Sequence, residues 1–254
     1  MKESIYTFKL IGLSFMAVLI TSLSSCNKED VLPEEIVPEE ETNDSTPPPF
    51  PELIGSDGTL VAIKSQSTQS SPIGPMTVTV GLGVAVFYEA GNMESFLEAG
   101  TVNLNSLTCT KQDNNTYVFQ PSQQNPTGID FGSGVSWSVS GAANVDAFSY
   151  DPTISFPEVE AISSGEVVNK ANGYTLTTSS ITGADSVIFQ IGSVLKTLPG
   201  NSTSCNFSST DLSGLTTGTS IVQIAAYKME NQMITGKNYY FINETVVSKA
   251  VTIE

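Results

Sequence analysis

The chain has no arginine and no histidine, and its ten lysines face 26 acidic residues, a formal charge of −16 over 254 residues. Without imidazole, Ser-His-Asp triads, Cys-His dyads, His-ligated zinc and histidine acid/base chemistry are all excluded. Without guanidinium there is no bidentate clamp for phosphate or carboxylate, and the acidic balance repels a nucleic-acid backbone. No nucleic-acid partner is expected. Tryptophan occurs once and cysteine three times, and charged residues make up 14% of the chain, well below the ~25% of ordinary soluble domains.

Hydroxyls fill the gap. The chain holds 33 serines and 27 threonines, side chains that suit the wet face of a sheet, while Thr, Val, Ile and aromatics favour pleated strands. An all-β fold is expected.

Long apolar runs are also scarce. Leu10 to Ile20, behind Lys2 and Lys9, is the longest, and it is too short for the ~20 residues of a membrane-spanning helix. Residues 1–25 therefore read as an export signal. It ends in Leu23-Ser24-Ser25-Cys26, which resembles a bacterial lipoprotein box, and that resemblance implies an acylated Cys26 as the mature N-terminus and a membrane partner through the lipid. The following Asn27-Lys28-Glu29-Asp30 resembles the signal that sends Bacteroidota-type lipoproteins to the outer face of the outer membrane, with Lys28, Glu29 and Asp30 carrying it.

Residues 26–55 are expected to form a tether. From Asn27 to Gly55 there are nine acids, Lys28 and six prolines, a composition that resists collapse and extends to roughly 90 Å at ~3.1 Å per residue. Asp44-Ser45-Thr46 resembles the O-glycosylation acceptor of Bacteroidota, which makes Ser45 a candidate glycan site. A second match lies at Asp185-Ser186-Val187.

The remaining 199 residues suffice for two domains, read as 56–151 and 152–254, with the boundary at Asp151-Pro152 to Phe156-Pro157. Both are expected to be β-sandwich-like. In the first, strand-like runs cover Leu60 to Lys64, Met76 to Tyr88, Thr101 to Asn105, Leu107 to Lys111, Tyr117 to Gln120 and Val135 to Ser140, with Asn105-Ser106 as a hairpin turn. A short helix is expected from Met93 to Ala99, capped by Asn92 and closed by Gly100. In the second, alternation is clear at Tyr174 and Leu176, at Val187, Phe189 and Ile191, from Ile221 to Tyr227, and from Val247 to Ile253. Asp211 to Thr219, running into Ser220 to Tyr227, resembles the Leu-x-x-Gly-Thr turn and following strand of fibronectin type III and related immunoglobulin-like domains. The resemblance implies an architecture and no ligand.

Few residues are candidates for chemistry. Trp137, in phase with Val135 and Val139, reads as core. Tyr239, Tyr240 and Phe241 follow the turn Gly236-Lys237-Asn238, so at least one of the three faces away from the core, and together they are the candidate ligand-binding residues. Cys109 and Cys205 are expected as buried thiols in separate domains. Ser193-Val194-Leu195-Lys196 has the spacing of penicillin-recognising enzymes, but it reads as strand, turn and strand rather than the required helix. Glu158 with Glu160, and Glu89 with Glu94 and Glu98, read as solvated carboxylates. No metal or cofactor set emerges. The expected protein is a non-catalytic binding or scaffold module on the outer membrane, with a glycan or a protein as its ligand. A carboxylate-only enzyme is the remaining alternative.

Overall fold

A computed structural model describes residues 53–71, 74–90 and 92–254. The signal sequence, Cys26, Lys28, Glu29, Asp30 and Ser45 lie outside the described residues.

The regular structure of the described chain is almost entirely strand, as expected. In the first half these are β1 Gly58–Ser71, β2 Gly74–Glu89, β3 Asn92–Phe96, β4 Val102–Leu104, β5 Leu107–Thr108, β6 Thr110–Lys111, β7 Tyr117–Phe119, β8 Trp137–Val139 and β9 Phe148–Tyr150. The second half contains β10 Glu158–Val159, β11 Val167–Val168, β12 Tyr174–Thr177, β13 Ile181–Thr182, β14 Ser186–Ile191, β15 Val194–Pro199, β16 Ser204–Phe207, the one-turn α1 Ser209–Leu212, β17 Gly218–Ile234 and β18 Lys237–Ile253.

One ten-stranded sheet runs through both halves in the order β15-β14-β17-β18-β1-β2-β7-β6, with β11 added beside β18 and β3 beside β2. Strands β17 and β18 pair along all 17 residues of each. On its other side β18 pairs in parallel with β1 from Tyr239 to Ser248 and then with β11 at Thr252 and Ile253.

Two hydrophobic cores lie on the inner face of this sheet. The first is closed by the four-stranded sheet β5-β4-β8-β9, whose Val102, Leu104, Trp137, Val139 and Phe148 meet Leu60, Ala85, Phe87, Tyr239 and Phe241. The second is closed by the β12-β16 and β10-β13 pairs, whose Leu176, Phe207, Val159 and Ile181 meet Val187, Phe189, Val222, Ile224 and Val247. In the second half, β15-β14-β17-β18-β11 face β12-β16 across the second core. Around the expected Gly-Thr turn, Leu212 and Leu215 are buried, and Ser208 and Asp211 form a capping box at α1.

The division at residues 151 and 152 does not separate the cores. Tyr239 and Phe241, near the end of the chain, belong to the first core, whereas Val247, Val251 and Ile253 of the same strand belong to the second. Period-2 alternation explains this, because every odd residue of β18 points inward. Between the cores the inward residues turn polar. Asn243 Nδ2 donates to Ile154 O at 2.7 Å and Thr245 Oγ1 donates to Pro157 O at 2.6 Å. The proline-bearing crossing from Asp151 to Pro157 is thus stitched to the middle of β18 and is not a free linker.

Asn105 and Ser106 adopt φ of 47° and 65°, the left-handed pair of a type I′ turn, without glycine. Asn105 compensates by donating from Nδ2 to Asp130 O and Gly134 O and accepting at Oδ1 from Ser136 N. The expected helix after Asn92 is instead the short strand β3. Asn92 Oδ1 accepts from Glu94 N at 3.1 Å, an Asx turn that satisfies the same donor without starting a helix, while Tyr88 pairs with Phe96 across the strands. Gly100 does take the left-handed conformation, at φ 74°.

Candidate functional site

Tyr239, Tyr240 and Phe241 are not an exposed aromatic face. Tyr239 and Phe241 are 0% exposed and Tyr240 is 8% exposed. The Tyr239 ring stacks 4.7 Å from Phe148 and meets Phe87 edge-on at 6.3 Å, while Phe241 lies 4.5 Å from Tyr150. Tyr240 does point away from the cores, as alternation requires, but the outer face of the sheet is buried there as well. Its hydroxyl donates to Ile54 O at 3.0 Å. The Tyr239 hydroxyl has no hydrogen-bond partner among the described residues, and burial, aided by Asp57 and Asp146, pushes its pKa up to about 12.

The other candidates are ordinary parts of the fold. Trp137 is core, 1% exposed, and packs over Gly83, where an added Cβ would lie 2.4 Å from Leu104 Cδ2. Cys109 and Cys205 are free, buried and in separate cores. Burial raises the Cys109 thiol to about 12 and also raises Cys205, which Lys196 partly offsets. Neither is a poised nucleophile. Ser193 sits in the turn between β14 and β15, while Lys196 Nζ reaches Asp211 Oδ2 at 2.7 Å and Asn206 O at 3.0 Å. That bond from Lys196 is the main reason the Asp211 carboxyl is held below its usual range, with Ser208 contributing through the helix cap.

Glu158 and Glu160 are exposed on either side of the buried Val159. Glu98 pairs with Lys111 at 2.8 Å on the surface, and among the described residues no three potential ligands gather as a metal site. Ser186, in the second glycosylation match, is a half-buried residue of β14, paired with β15 on one side and β17 on the other. The neighbouring Asp185 Oδ2 accepts from Met229 N at 2.9 Å.

The less expected feature is the outer face of the large sheet. The registers place Val61, Ile63, Val84, Val86, Ile188, Tyr227, Tyr240, Ile242 and Val246 on it, all buried, and none belongs to either core. Glu244 stands in their midst, opposite Ile63 on one side and Tyr227 on the other. Desolvation pushes its carboxyl up to about 7, which puts its titration near neutral pH. Sequence reasoning missed it, although a glutamate in phase with Tyr240, Ile242 and Val246 was the available signal. At the rim of the same face, Val78, Ile221 and Met233 are exposed. At these positions the sheet is therefore apolar on its outer side as well as on the side that carries the cores.

Comparison with known proteins gives no assignment: no family model matches the chain, and no curated protein matches it.

Proposed function

We propose that this protein is a non-catalytic lipoprotein, anchored through Cys26 to the outer membrane and directed to its surface by Lys28, Glu29 and Asp30, that serves as a protein-interaction or structural module. The observation that carries this reading is the β17–β18 hairpin. Its 17-residue strands take part in both cores, so the two halves act as one stiff body suited to display or spacing. The absence of His and Arg from the sequence removes most catalytic chemistries and agrees with a non-enzymatic role.

The glycan version of the reading depended on solvent-facing aromatics at Tyr239, Tyr240 and Phe241, and burial of all three takes that support away. A protein ligand is the version the geometry favours. Two measurements test the proposal. Metabolic labelling with a fatty acid should mark the wild-type chain and not Cys26→Ala, which should leave the membrane fraction. Electrophoresis in gels containing polysaccharide should show no retardation; clear retardation would restore the glycan reading, and an unlabelled wild-type chain would remove the anchor.

A further inference from the structure

Asn172-Gly173 is the only Asn-Gly pair in the chain, and it lies in the turn between β11 and β12. A side-chain amide that precedes glycine is open to attack by the glycine's own backbone nitrogen, because the glycine has no side chain to shield that nitrogen. Whether the attack takes place in a folded protein depends on how firmly the amide is held.

The turn requires the glycine and leaves the amide free. Gly173 takes φ 78°, a conformation that costs glycine little, and a Cβ there would lie 2.6 Å from Phe207 O. The ends of the turn are fixed, since Lys170 N donates to Glu254 O at 2.9 Å and Tyr174 pairs with Phe207. Asn172 itself is exposed. Its backbone N–H donates to Asn169 Oδ1 at 3.0 Å, but among the described residues its side-chain amide makes no hydrogen bond.

The comparable pairs elsewhere are tied down. Asn105-Ser106 and Asn201-Ser202 are the two Asn-Ser pairs, and Asp57-Gly58 is the one Asp-Gly pair. The Asn105 amide makes the three bonds to Asp130 O, Gly134 O and Ser136 N. Asn201 Oδ1 accepts from Ala184 N at 2.9 Å. Asp57 Oδ2 accepts from Asn238 N at 2.7 Å, and Gly58 N is itself engaged by Ser56 Oγ at 3.2 Å. Each of these side chains must break hydrogen bonds before it can turn towards the following nitrogen. Asn172 has none to break.

We infer that Asn172 is a site of spontaneous deamidation in the folded protein. The Gly173 nitrogen gives up its proton to solvent and bonds to Asn172 Cγ, and the Cγ–Nδ2 bond breaks to release ammonia. Water then opens the cyclic imide at either carbonyl and leaves aspartate or isoaspartate. Either product adds a negative charge to an already acidic chain. Isoaspartate also lengthens the backbone by one carbon just before Tyr174, where β12 begins its pairing with β16. The reaction depends neither on acylation of Cys26 nor on what the protein binds.

The test incubates the full chain at 37 °C and pH 8, natively and in urea, and follows each asparagine by peptide mapping, with isoaspartate detected by enzymatic methylation. In the native protein Asn172 should convert several-fold faster than Asn105 or Asn201, and Asn172→Gln should abolish the more acidic species on isoelectric focusing. Urea should quicken Asn105 and Asn201 and change Asn172 little. No conversion at Asn172, faster conversion at Asn105 or Asn201, or a native rate at Asn172 many-fold below its rate in urea would overturn the inference, the last by showing that the fold restrains the amide.

Discussion

Replacing Glu244 by glutamine should make the protein more stable at pH 8 and leave it nearly unchanged at pH 4. The carboxyl's pKa rises from 4.5 to about 7 because burial penalises its charged form. Folding then favours the protonated acid. Below pH 4.5 both folded and unfolded states carry the proton and nothing is lost; between pH 4.5 and about 7 the unfolded chain ionises first, so stability falls as pH rises and levels off above that range. At ~1.4 kcal/mol per pH unit the full effect is about 3 kcal/mol. Glu244 is only half-buried by surface, so water recovers part of this and about 1–3 kcal/mol is expected. For a folded unit of this size that is roughly 2–10 °C in melting temperature. Glutamine keeps the shape and never ionises, so calorimetry of both proteins at pH 4, 6 and 8 isolates this one group from all other carboxylates. A gap between wild type and E244Q that is independent of pH, or that favours wild type at pH 8, would refute the reasoning.

Other expectations follow from close approaches and buried partners. Gly81→Ala would set its Cβ 1.9 Å from Ile129 O, a backbone clash that should cost about 3 kcal/mol or more and show in urea unfolding. Asn243→Ala should cost about 1–3 kcal/mol by leaving Ile154 O without its donor, and proteolysis should then cut first between Asp151 and Pro157. Native protein should show almost no thiol reaction from Cys109 and Cys205 and two reactive thiols from them once denatured; finding neither in the denatured chain would mean that they are bridged. Asp211→Ala should lower stability by about 1 kcal/mol through loss of the capping box at Ser208, whereas Lys111→Ala should have little effect.

Strand content was legible because Thr-, Val- and aromatic-rich alternation needs only local periodicity. β1, β2, β12, β14, β17 and β18 contain the runs expected of them, β4, β7 and β8 are shorter strands inside theirs, and Trp137 lies with Val135 and Val139 in a core. The turn at Asn105 was readable as well, since its hairpin lies entirely within neighbouring residues. At Asn92 the same local logic chose the wrong element: an Asx turn and a helix cap use the same side-chain oxygen, and the pairing of Tyr88 with Phe96 decided between them.

What the amino-acid order determined alone was the class of fold, the inward or outward phase of each strand and the exclusion of histidine- and arginine-based chemistry. Tertiary structure decided the rest. The alternation that placed Tyr240 opposite its neighbours in phase says nothing about what lies beyond each face, and both faces are buried here. A proline-marked crossing looks like a domain boundary in one dimension, yet β18 returns from the far end of the chain to fill the first core with Tyr239 and Phe241 and the second with Val247 and Ile253. Such contacts, between residues some 180 positions apart such as Asp57 and Asn238, are fixed by which strands pair across the sheet, and periodicity within a strand carries no record of its neighbour.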